Sequence, residues 1–173
     1  MTRKNIGIIL IGLFLLVGCA GMQQITEADR TFERIIQIPG HKKDNVYDST
    51  KIWIAENFRS AKSVIEYENK DAGTIIGNGA IKYPCKGIEC IAKNDWKVLF
   101  TMRVDTKDEK FRLTFSNLKL TWPPSYNSTF GAQRGHEGPV STKADLDTIK
   151  PVLLKFGDEI RSHIENGSTR NNW

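Results

Sequence analysis

Two consecutive stretches of alternating sequence constrain this chain more than any other feature. From Asp95 to Asp105 every second residue is apolar, with Trp96, Val98, Phe100, Met102 and Val104 on one side. After a turn at Lys107-Asp108-Glu109, Phe111, Leu113 and Phe115 repeat the pattern. The apolar set then resumes out of phase at Leu118, Leu120 and Trp122. A two-residue period marks a half-buried strand, so the pair reads as an antiparallel hairpin with one apolar and one polar face. For the second strand to keep its face it needs one extra residue, which predicts a β-bulge at Ser116-Asn117. Bulges bend strands, so the sheet is expected to be curved.

The remaining elements arrange themselves around this hairpin. Thr31 to Ile38 alternates, with Phe32, Arg34, Ile36 and Ile38 on one side, and stops at Pro39-Gly40, as a strand and a turn do. Asp44 precedes Val46, Thr50, Trp53, Ile54 and Phe58 at three- and four-residue steps, the spacing of an amphipathic helix. Ser63–Glu68 and Thr74–Tyr83 read as strands joined by Asn69-Lys70-Asp71-Ala72-Gly73. Residues 84–94 interrupt the pattern, and residues 123–141 read as a long Gly-, Pro- and Ser-rich loop. Leu146, Ile149, Leu153, Phe156, Ile160 and Ile164 trace a second helical stripe that ends at Asn166-Gly167. Pro151 lies within it and is expected in the first turn of the main helix, where its missing N–H costs little. The order β-α-β-β-β-β-α implies one α+β domain over residues 31–166. Its sheet is antiparallel, with both helices packed on one face, and residues 167–173 form a disordered tail.

The stretch Ile38-Pro39-Gly40, the helix end Trp53-Ile54-Ala55-Glu56-Asn57-Phe58 and the segment Tyr67 to Gly79 (YENKDAGTIIGNG) together resemble a bacterial lipoprotein domain family of unknown function. The resemblance covers about residues 31–165 and implies a TATA-binding-protein-like fold. It implies no activity.

The N-terminus gives an address. Arg3 and Lys4 precede twelve apolar residues, Ile6 to Val17, which close on Leu16-Val17-Gly18-Cys19. A charged start, a short apolar run and a small-residue cleavage site describe an export signal. The run is too short for a spanning helix, which needs about 20 residues. The closing tetrapeptide resembles the lipobox of bacterial lipoproteins. That resemblance implies a signal peptide over residues 1–18, lipidation of Cys19 and a lipidated tether over 19–30. Ala20 in place of aspartate favours the outer membrane, with the domain facing the periplasm. The tether spans at most about 40 Å, so the domain stays near its membrane. Removing residues 1–18 takes away Arg3 and Lys4 and no acid, leaving 23 basic against 20 acidic residues. So small an excess gives no nucleic-acid footprint.

Candidate sites are few. Cys85 and Cys90, in Pro-Cys-Lys-Gly-Ile-Glu-Cys, are the cysteines left after Cys19. In an oxidising compartment they favour a disulfide across a hairpin tip. A zinc clip would want two further ligands and a redox pair the tighter C-x-x-C spacing. His41, His136 and His163 are scattered singly, so the pattern supplies no metal set, no nucleophile–base pair and no cofactor motif. Gly73, Gly77 and Gly79 suit turns or close backbone approach better than a phosphate cradle. Within the long loop, Arg134, His136 and Glu137 are candidate contacts for a ligand or partner. The polar face of the last two strands would carry Lys97, Arg103, Arg112 and Lys119, a surface for an anionic ligand. The sequence therefore favours a membrane-tethered binding module for an envelope protein or anionic ligand. An envelope enzyme built around residues 123–141 is the alternative.

Overall fold

A computed structural model describes residues 25–58, 65–127 and 131–170. The signal segment, Cys19 and the last three residues of the expected tail lie outside the described residues. The elements run β1 (Phe32–Gln37), α1 (Lys43–Asn57), β2 (Ile65–Asn69), β3 (Thr74–Lys82), α2 (Glu89–Lys93), β4 (Lys97–Lys107), β5 (Lys110–Trp122), β6 (Ser125–Asn127), β7 (Gly131–Gln133), β8 (His136–Pro139) and α3 (Lys143–Arg170). Strands β1-β5-β4-β3-β2 form one antiparallel sheet, and β8 also pairs with β5.

The expected hairpin is β4–β5, and the expected bulge is present. Leu99 pairs with Lys119 and Thr101 with Ser116, so the two residues Asn117 and Leu118 oppose Phe100 alone. Asn117 takes φ 53, the left-handed region that a bulge residue adopts and that asparagine tolerates. The phase correction works: Phe111, Leu113, Phe115, Leu118 and Leu120 are all buried. The bulge also divides the outer edge of β5. Residues Lys110–Phe115 pair with β1, and Lys119–Trp122 pair with β8.

Helices α1 and α3 pack on the apolar face. Val46, Thr50, Trp53 and Ile54 of α1 and Leu146, Ile149, Leu153, Ile160 and Ile164 of α3 are buried as their spacing requires. Phe156 joins Trp53, Phe58, Phe100 and Phe115 in a cluster of aromatic rings whose centroids lie 5.5–6.2 Å apart. Gly79 exists for this cluster. It sits directly opposite Phe100, and a Cβ there would fall 2.5 Å from the Phe100 ring. Gly73 takes φ +68 at the turn into β3, where its carbonyl accepts from the N–H of Thr106 at 2.7 Å. These are the turn and close-approach roles that the sequence suggested.

Four expectations need correction. The 123–141 segment is not an irregular loop: β6 and β7 form a small hairpin, and β8 adds a strand to the sheet. The Cys85–Cys90 segment is a short helical turn leading into α2, not a hairpin tip. Helix α3 is continuous through Pro151 instead of restarting there, and it runs past Asn166-Gly167 to Arg170. Pro151 and Asp147, whose carbonyl loses its partner, are both exposed, so water can satisfy that oxygen while the buried stripe offsets the cost. Finally, Trp96 and Trp122 are only partly buried, packed at the end of the sheet and not in the core.

Candidate ligand groove

The free face of the sheet is built from the odd-numbered residues of β4 and the polar residues of β5, as their alternation requires. Most of its cations are committed to acids beside them. Asp105 lies between two arginines, with the Arg103 guanidinium donating at 2.9–3.0 Å and Arg112 at 3.1 Å. Burial pushes the Asp105 carboxyl up, but hydrogen bonds from Arg103, Thr74 and Arg112 outweigh it and hold the group below its ordinary value. Arg112 also approaches Glu33 at 3.8 Å, and Lys119 meets Glu137 at 3.4 Å. Arg103, Arg112 and Lys119 therefore form a self-compensated charge lattice.

Lys97 differs. In the β3–β4 register it stands directly opposite Lys82, a residue that the sequence did not single out. Among the described residues neither lysine has an ion-pair partner, and both are exposed. Like charges directly opposed across a sheet are destabilising. The two lysines line a groove of about 410 Å³ at the end of the sheet, together with Ala80, Leu99 and Thr121 on its floor and Trp96 and Trp122 at its end. Asp95 and Glu137 also line it, so the cationic pair sits in a mixed setting. The groove continues at Ala80 and Leu99 into a second hollow of about 300 Å³ over the bulge, which Asn117 and Lys119 line. The small side chain of Ala80, on the same face as Leu99, leaves the space.

An aromatic ladder stiffens the end of the groove. Trp96 and Trp122 stack at 4.1 Å with planes 11° apart, and His136 stacks on the far side of Trp122 at 4.3 Å. Tyr83 meets Trp96 edge-on at 5.8 Å. Behind the ladder, Lys93 of α2 lies 4.2 Å from the Tyr83 ring centroid and 4.9 Å from that of Trp96. Its ammonium reaches Glu89 at 2.6 Å and Asp145 at 3.2 Å. Burial alone would lower the Lys93 pKa, but Glu89, Tyr83 and Asp145 together hold it above the ordinary lysine value. Asp145 accepts from the Tyr83 hydroxyl at 2.7 Å and from Thr142 at 2.5 Å, while Thr142 accepts from the Asp145 N–H at 3.1 Å. Thr142 and Asp145 thus cap the start of α3 reciprocally. This network joins the end of β3, α2 and α3, elements that sequence reasoning treated as independent.

The three expected loop residues do not converge. Arg134 is exposed in the turn before β8, His136 points into the tryptophan stack, and Glu137, on the opposite side of β8, pairs with Lys119. Adjacent strand residues face opposite ways, so β8 itself separates His136 from Glu137. The Nδ1 atom of His41 lies 3.1 Å from the Pro39 carbonyl, and His163 lies 3.8 Å from Glu56. Among the described residues, no three His, Cys, Asp or Glu side chains gather into a metal-binding set.

Cys85 and Cys90 are joined by a disulfide with Cα atoms 5.2 Å apart. A closed loop this short removes little chain entropy, so the bridge should contribute about 2 kcal/mol. Reducing it should loosen residues 84–94 without unfolding the domain. Thiol titration of protein from its native compartment checks this, and two free thiols would contradict it.

The family model described as "Domain of unknown function (DUF4468) with TBP-like fold" matches residues 32–121. Among solved structures, a DUF4468 family protein from Bacteroides ovatus is similar at a TM-score of 0.54 and 14% identity, over 83% of this chain and 88% of that one. A TBP-like protein from Parabacteroides distasonis is similar at 0.49 and 12%, over 81% and 88%. The first of these shows a common fold, and a fold does not confer an activity. No curated protein matches the chain.

Proposed function

This chain belongs to the DUF4468 family, a domain of unknown function with a TBP-like fold, and we propose that it serves as a non-enzymatic binding module in a bacterial envelope. In this reading Cys19 carries the lipid that tethers it, and the groove at the tryptophan end of the free sheet face holds a small anionic ligand. The opposed pair Lys82 and Lys97 carries the ligand reading. Two lysines directly opposed across the sheet, neither with an ion-pair partner among the described residues, cost the free domain stability, and an anion bound by both would reverse that cost. Trp96 and Trp122 offer apolar edges to the rest of the ligand. The dispersal of Arg134, His136 and Glu137 argues against a catalytic constellation in the 123–141 segment.

The groove is tested by titrating the protein with inorganic phosphate while following lysine and indole resonances. Shifts at Lys82, Lys97 and Trp122 are expected. Shifts confined to Arg103 and Arg112 would place the anion elsewhere and contradict the assignment. The tether has its own test. Cys19→Ala should abolish acylation and move the protein out of the membrane fraction, because the acyl chains are then its missing apolar handle. Unchanged membrane association, with no acyl mass on the wild-type chain, would contradict the lipoprotein reading.

A further inference from the structure

The disulfide loop and the residue that follows it carry the two most exposed large apolar side chains among the described residues, Ile88 at 85% and Ile91 at 82%. They lie three residues apart on one helical turn and so share a face, with the exposed Lys86 beside them. The opposite side of the turn is fixed to the body of the protein. Lys93 is held by Tyr83 and Asp145, and the Cys85 N–H donates to the Tyr83 carbonyl at 2.8 Å. The apolar pair is therefore presented outward on a pinned support.

The path of the tether indicates what covers this pair. The described chain begins at Ile25, whose N–H donates to the Ser141 carbonyl at 3.3 Å, just before the Thr142 cap of α3. Lys93 ties α2 to Asp145 at that same N-terminal end of α3. The tether and the loop thus attach to one end of one helix. Only five residues lie between Cys19 and Ile25, a contour of at most about 20 Å. An acylated Cys19 therefore holds this end of the domain close to the bilayer. Tethering raises the local concentration of the two surfaces, so even weak insertion is realised.

We propose that the segment from Cys85 to Ile91 seats the domain on the lipid surface, with Ile88 and Ile91 entering the headgroup–acyl boundary and Lys86 lying at the level of anionic headgroups. This rests on the anchorage at Cys19 proposed above. It also gives the groove a fixed orientation, since residues 94–97 follow the loop directly and line the groove.

The test uses the full chain, its acylation verified by intact mass, in vesicles of phosphatidylethanolamine and phosphatidylglycerol doped with a phospholipid carrying a photo-activatable acyl chain. Lipid adducts are expected to concentrate on residues 86–92. In an Ile88→Glu, Ile91→Glu double variant they should fall by about tenfold, with acylation and melting temperature unchanged. Both side chains are exposed, so the variant keeps the core. Adducts on an acylated chain that map elsewhere, to the β6–β7 hairpin for example, would overturn the proposal and leave the anchorage intact. Cross-links between protein copies through this loop would overturn it in favour of self-association. A chain that carries no acyl mass would remove the anchorage and the proposal together.

Discussion

Leu120→Ala should destabilise the domain by about 2–5 kcal/mol, the usual cost of deleting a core leucine. Lys119→Ala, one residue away, should change stability by less than about 0.5 kcal/mol. The contrast follows from the bulge. Leu113 and Leu120 are seven residues apart, a separation that an unbulged strand would place on opposite faces. Both are nonetheless buried, at 0% and 5% exposure, because Asn117 inserts the extra residue between them. Urea melts of the two variants decide the matter. Equal midpoints for Leu120→Ala and Lys119→Ala would mean that the second half of β5 presents the other face, and the groove over Leu99 and Thr121 would lose its floor.

Asp145→Ala should cost about 1–3 kcal/mol, since the backbone cap from the Thr142 hydroxyl survives but the buried Tyr83 hydroxyl loses its acceptor and the Lys93 ammonium loses one of its two acids. Burial pushes the Asp145 carboxyl up, but hydrogen bonds from Thr142, Tyr83 and Lys93 outweigh it, so the group sits below its ordinary value of 3.8. A carboxyl lowered on folding contributes stability that is present above its unfolded pKa and lost as pH falls through the folded value. The gap between wild type and Asp145→Asn should therefore be widest above about pH 4 and close as the solution is made more acid. Thermal melts over that range check the sign. A gap that widens on acidification would mean that Asp145 is protonated in the folded protein.

The parts of the fold that were legible in the sequence are those in which side-chain period alone decides. The bulge could be placed because Phe115 and Leu118 break a two-residue count, and the helix stripes because a 3.6-residue period leaves no other face for them. Strand β8 was missed because His136-Glu137-Gly138-Pro139 carries no apolar alternation. What holds it is backbone pairing to an edge that β1 leaves uncovered beyond the bulge, and the backbone leaves no trace in composition. Pro151 misled because local propensity disfavours it inside a helix, whereas the buried stripe running through it is a tertiary effect.

The candidate site was legible only in part. Alternation put Lys97, Arg103, Arg112 and Lys119 on one face, but could not tell which were compensated. That depends on neighbours such as Glu33 and Glu137, which come from strands distant in sequence. Lys82 was invisible as the partner of Lys97 because residues 84–94 separate β3 from β4, and an irregular connection of that length fixes no register. The Lys93–Tyr83–Asp145 network escaped for a similar reason, since three elements contribute one residue each.

The most direct test of the account is the stability of Lys97→Gln compared with wild type, measured by urea melts with and without inorganic phosphate. If Lys82 and Lys97 form an uncompensated pair kept for an anion, the substitution should raise the stability of the free protein by about 0.2–1 kcal/mol. It should also abolish the stabilisation that phosphate gives the wild type through linkage. A variant no more stable than wild type, with its response to phosphate unchanged, would contradict the groove as the site of anion binding.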